Sequence, residues 1–210
     1  MDKAPGRDLV VIAASAGGIE ALRSVASGLP PDLAAVVLAV LHVPATGGKA
    51  LPHILGRAGP LPAVTARDGE TLCRGRIYLA PPDHHLLVAG DLARTSKGPR
   101  LRGHRPAADP LFRSAAATAG PRVVAVVLSG ALADGAAGCA AVEEGGGVVA
   151  VQDPAQCAYD GMPRAALAAT RRAVTLPLRD MARFITEQTR TPVETPSTGA
   201  VFDAESFLRP

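Results

Sequence analysis

Four stretches of the chain are apolar at almost every position: Val10–Ala14, Ala34–Leu41, Val123–Leu128 and Val148–Val151. Unbroken apolar runs of this length suit strands covered on both faces, as in a parallel sheet. Between them the pattern changes to a helical period. After Ala16-Gly17-Gly18 a helix places Ile19, Leu22, Val25, Ala26 and Leu29 on one face, and Gly28 with Pro30-Pro31 ends it. A short helix is expected from Lys49 to Arg57 with Pro52 in its first turn, another from Pro110 to Ala117, and a third from Ala136 to Glu144, stopped by three glycines. Further helices begin near Met162-Pro163 and run from Arg179 to Arg190, with an edge strand over 173–178 between them. From Pro62 to Ser96 the runs are short and broken by Asp68-Gly69, Gly75 and Gly90-Asp91, which reads as an antiparallel hairpin inserted into the alternation. The expected fold is therefore α/β: a doubly wound, mostly parallel, Rossmann-like three-layer sheet with helices on both faces. Residues 1–190 form one domain, and 191–210, rich in Pro, Thr, Ser and Gly, form a flexible tail.

Composition sharpens this picture in two ways. Aromatic residues make up 3% of the 210 positions, with no Trp, so the core is built from small and β-branched side chains. The net charge of +3 is spread along the chain, which does not imply nucleic acid. No run is long enough to span a bilayer and no secretory h-region follows Met1, so a cytoplasmic protein is expected, without membrane insertion and monomeric. Cys73, Cys139 and Cys157 lack metal-type spacing and read as reduced thiols.

The chemistry sits where the apolar runs stop. Ser15, His42 and Asp134 each lie just beyond such a run, at the carboxyl ends of strands, where open α/β sheets bind ligands. A serine becomes a competent nucleophile when an imidazole takes its proton, and a buried carboxylate fixes that imidazole's tautomer. The backbone N–H groups of Ala16 and Gly17, at the head of the first helix, are candidate oxyanion donors. The order Ser, His, Asp differs from that of α/β-hydrolases, and Ala13-Ala14-Ser15-Ala16-Gly17 lacks the first glycine of their nucleophile elbow. Other readings stay open at this point. Ser15 is also a good N-cap, residues 15–18 can cradle a phosphate or nucleotide, and the fold can serve a signalling partner without catalysis. Adjacent His84 and His85 on a strand face opposite ways, so a metal site with Asp83 and His104 is not expected, and no cofactor is needed.

Beyond these residues, the chain resembles the catalytic domain of CheB-type chemotaxis methylesterases from about Leu9 to Leu178. The resemblance rests on a series in order: Ala14-Ser15-Ala16-Gly17-Gly18 with Ile19-Glu20-Ala21-Leu22, His42, Ile77-Tyr78-Leu79-Ala80-Pro81-Pro82-Asp83-His84-His85, and His104-Arg105-Pro106 before Leu111-Phe112. It continues with Leu128-Ser129-Gly130, Asp134-Gly135, Gln152-Asp153-Pro154 and Gly161-Met162-Pro163-Arg164. It implies a serine hydrolase acting on glutamate methyl esters of chemoreceptor helices, with related glutamine deamidation, and Ser15, His42 and Asp134 as nucleophile, base and orienting acid. It places the Asp83-His84-His85 turn at the rim of the cleft, while the basic loop of Arg100, Arg102, His104 and Arg105 suits either an acidic receptor helix or plain solvation. His85, Arg105 and Met162 are the candidate substrate contacts, and a separate response regulator or kinase is a candidate partner. The chain departs from the family at Ala13, commonly Gly, at Leu41 and Val43, commonly Gln and Met, and at Ala131-Leu132, where Met-Gly is usual. The receiver domain that precedes the esterase in well-known members is not seen ahead of the first strand, so direct phosphorylation control within this chain is not expected.

Overall fold

The computed structural model describes residues 6–43, 47–48, 50–193 and 204–208. In chain order it forms β1 (Leu9–Ala14), α1 (Gly18–Gly28), β2 (Val36–Leu41), α2 (Leu51–Ala58), β3 (Ala63–Thr65), β4 (Arg76–Leu79), β5 (His85–Ala89) and β6 (Leu92–Ser96). Then come α3 (Ala108–Ala119), β7 (Val123–Val127), α4 (Ala136–Glu144), β8 (Val148–Gln152), α5 (Gly161–Ala169), β9 (Val174–Leu176) and α6 (Leu178–Arg190). Seven strands pair in parallel in the order β3-β4-β2-β1-β7-β8-β9, and β5 with β6 forms a separate antiparallel hairpin. The central strands are buried along their whole length, which is why their sequences show no alternation.

Alternation survives only in which layer each side chain enters. Leu9, Val11 and Ala13 of β1 face one core with Phe112 of α3, Val142 of α4 and Met162 of α5. Val10, Ile12 and Ala14 face the other, with Leu22 of α1, Leu55 of α2 and Ile185 of α6. The strand order turns at β1, where the chain runs from β1 to β2 on one side, while β7 lies on the other. The crevice outside the carboxyl ends of β1 and β7 is thus the switch point at which such sheets place their ligands.

Three expectations need adjustment. The 62–96 region holds more than a hairpin, since β3 and β4 join the main sheet in parallel. The helix expected from Pro110 begins at Ala108, two residues earlier. The segment read as a flexible tail contains a 3-10 helix over Ala204–Leu208, and Leu208 is buried, within van der Waals reach of Gly98. Residues 194–203 and 209–210 of that tail, and Lys49 of the expected second helix, lie outside the described residues.

Candidate active site

Backbone bonds carry the sheet pattern past the strand ends and fix the residues there. Ser15 N–H donates to Ser129 O at 3.0 Å, and His42 N–H to Ala14 O at 3.1 Å. Ser15 does not cap α1. The N-cap is Gly17, in the left-handed region at φ 73°, and no side chain bonds the helix start. A Cβ at Gly17 would sit 2.9 Å from both Ala158 Cβ and Ser129 Oγ, so this turn requires glycine for space as well as for φ.

Freed from capping, the Ser15 hydroxyl turns to His42, with Oγ 3.1 Å from Nδ1. The far side of the ring meets Asp134, with Nε2 2.6 Å from Oδ2. An ionised carboxylate only accepts, so Nε2 carries the proton and Nδ1 is left to accept from Ser15. The His42 and Asp134 side chains are 6% and 0% exposed, so this pairing is shielded from water. Asp134 also accepts from the backbone N–H of Ala108 at 2.6 Å and of Asp109 at 3.2 Å, the free first donors of α3. Burial alone would raise the Asp134 pKa. The bonds from His42 and Ala108, the His42 charge and the Asp109 N–H outweigh it and hold the carboxyl below its ordinary range. Neighbouring Asp109 moves the opposite way, raised by its own burial and by the charge of Asp134.

The loop after β7 is braced from several sides. The Ser129 hydroxyl donates to Ala16 O at 2.8 Å and accepts from Tyr159 N–H at 3.1 Å, while Gln152 Oε1 accepts from Ser129 N–H. Gly130 leaves room for the Met162 sulfur and Ser15 Cβ, which a side chain there would strike. Next to it, Leu132 occupies a left-handed φ of 68° with 65% of its surface exposed.

The residues assigned to substrate contacts fall elsewhere. His85 is fully buried, with Nε2 against Pro99 O and Nδ1 accepting from Ala107 N–H, so its ring closes the structure under the site. Met162 is 1% exposed and packs beneath Gly130. Arg105 donates from Nε and Nη2 to Asp83, and from Nη1 to the carbonyls of Lys97 and Gly98, so its guanidinium ties two loops together. Asp83 is held below the ordinary carboxylate range, chiefly by its bond from Arg105. Sequence reasoning missed Ser129, Gln152 and the α3 donors. The first two carry a usable signal, a polar residue at the end of a buried strand, but backbone donors leave none.

His104 places its ring face to face with His42. Among the described residues no three His, Cys, Asp or Glu side chains gather as a metal site would need. No described helix is long and apolar enough to cross a membrane.

Comparison with known proteins fits this geometry. The sequence pattern of the CheB methylesterase family matches residues 10–185. A protein-glutamate methylesterase/protein-glutamine glutaminase of Anaeromyxobacter dehalogenans is 44% identical over 168 residues, covering 79% of this chain and 49% of the relative. Its counterpart in Geobacillus kaustophilus is 40% identical over 188 residues, covering 87% and 54%. The chain thus spans about half the length of these curated relatives. The crystal structure of the Thermotoga maritima CheB methylesterase catalytic domain superposes with a TM-score of 0.83 at 29% identity, over 86% of this chain and 97% of that one.

Proposed function

Because the chain belongs to the CheB methylesterase family, we propose that it hydrolyses methyl esters of glutamate side chains in chemoreceptor-type proteins, with Ser15 as nucleophile. The observation that supports this reading is the hydrogen-bonded line from Ser15 Oγ through His42 to Asp134 at the switch point of the sheet. Ser15 Oγ attacks the ester carbonyl carbon while its proton passes to His42 Nδ1. Asp134, held ionised, steadies the resulting imidazolium through Nε2–H. Backbone N–H groups of Ala16 and Gly17 receive the developing oxyanion, a contact of a kind whose removal costs about 3–4 kcal/mol in other enzymes. Collapse breaks the C–O bond to the methoxy group, which takes the proton from His42 and leaves as methanol. Water then attacks the acyl-serine, gives its proton to His42, and the glutamate is freed as Ser15 regains its proton. The same attack on a glutamine amide releases ammonia in place of methanol.

Methanol release from a methylated receptor fragment tests the proposal, alongside ammonia release from the glutamine form. The intact protein is expected to release methanol, and His42→Ala and Asp134→Asn to lose most of that activity. A folded protein that releases no methanol from a panel of methylated receptors and no ammonia from their glutamine forms would contradict the assignment.

A further inference from the structure

The hydrogen bonds of the site make no use of His104, yet its ring lies flat on His42, with centroids 3.8 Å apart and planes 7° from parallel. The stack is built from the loop side. Leu101 and His104 exchange backbone hydrogen bonds of 3.0 and 2.8 Å, with Arg102 and Gly103 forming the tight turn between them at φ 47° and 84°. Four residues on, the same segment delivers the Ala108 N–H to Asp134. One stretch of chain therefore grips both the base and the carboxylate that orients it.

The polar edge of His104 has no such employment. Its Nε2 is buried and finds no partner among the described residues. Burial, and secondarily the nearby His42, lower its pKa, which disfavours the charged ring. A buried nitrogen without a partner is a cost to the fold. A ring retained at that cost, and presented by its face, points to a function of the face.

The hydrogen bonds at Nδ1 and Nε2 hold two edges of the His42 ring, and the stacked His104 ring covers its face. We propose that His104 is a positioning residue, a flat plate that holds the plane of His42 between Ser15 Oγ and Asp134 Oδ2 and keeps water from its face. This role rests on the proposed serine hydrolysis.

The test measures how fast a fluorophosphonate labels Ser15 in the full chain, which needs no receptor, for the unaltered protein, His104→Ala and His104→Phe. Phe keeps the flat face and removes both ring nitrogens. Labelling of His104→Phe is expected within about threefold of the unaltered protein, and that of His104→Ala about 100-fold slower, the scale set by misplacing a reacting group by an ångström. The His42 ring protons, followed by NMR, are expected to move downfield in His104→Ala as the ring current of the stack is lost. Should His104→Ala fail to fold, His104→Leu, which fills the space without a flat ring, replaces it with the same expectation. Unchanged labelling of His104→Ala would overturn the role. So would a folded His104→Phe as slow as the alanine variant, since the ring nitrogens would then be what matters. No labelling of the unaltered protein would instead overturn the serine-hydrolase reading, and the role of His104 with it.

Discussion

At Asp134 one carboxylate accepts from His42 and from the first two N–H groups of α3, so it serves both the site and a helix end. Removing a buried acceptor leaves its donors unpaired, which costs about 1–3 kcal/mol. Asp134→Ala is therefore expected to lower the unfolding free energy by about that amount in a denaturant titration, whereas Ser15→Ala stays within about 0.5 kcal/mol of the parent. The pH dependence has a definite sign. The folded pKa of Asp134 is depressed, so its contribution is present above the ordinary Asp value near 4 and is lost as pH falls through the folded value. Leu132 offers a second test. A left-handed leucine costs about 1–2 kcal/mol, and 65% exposure leaves little packing to lose. Leu132→Gly is expected to match or exceed the parent in stability by up to about 1 kcal/mol after the backbone-entropy cost of glycine, and a clear loss would mean that its side chain holds the loop. Ser15 and His42 were legible in the sequence because each is the polar residue that directly follows a buried run, whereas Asp134 lies six residues past the end of its run, behind Ser129, and was legible through the Asp134-Gly135 pair of the family resemblance. His85 and His104 were not, because nothing local separates a histidine that braces a loop, or stacks on another from 62 positions away, from one that faces solvent.

Elements with long apolar runs were read nearly to the residue, as with α4 over Ala136–Glu144. Those that failed were short or rested on backbone. β3 has three residues, none of them buried, so its place at the edge of the parallel sheet left no pattern. Asp68-Gly69 and Gly75 supplied turn signals that suit a hairpin equally well. The start of α3 is set by Asp134 accepting its first N–H groups, a long-range cap with no local signature. The start of α1 depends instead on Gly17. Its positive φ and the 2.9 Å approaches of Ala158 Cβ and Ser129 Oγ predict that Gly17→Ala destabilises by about 1–3 kcal/mol and slows Ser15 labelling by tilting the loop. Parent-like stability and labelling would show that the turn tolerates a side chain.

Across the molecule, the two cores on either side of the sheet hold the carboxyl edge rigid, and the polar groups buried near that edge make stability depend on pH. Burial lowers the pKa of His85 and of His104, so the unfolded chain binds protons more tightly than the folded one. Their contribution is present above the ordinary histidine value near 6.5 and is lost as pH falls through the folded values. Asp109, with a raised pKa, runs the other way: its contribution is present below the ordinary Asp value and is lost as pH rises through the folded value. Denaturation midpoints are expected to fall between pH 7 and pH 5, and less steeply in His104→Phe, which has no proton to take. A flat profile would mean that neither ring is held neutral. Peptide mass spectrometry of the protein after reaction with a fluorophosphonate reads out the nucleophile itself. The adduct is expected on Ser15 and nowhere else, and to disappear in Ser15→Ala. An adduct on Ser129, whose hydroxyl is 2.8 Å from Ala16 O and buried, or no adduct on a folded protein, would contradict the account.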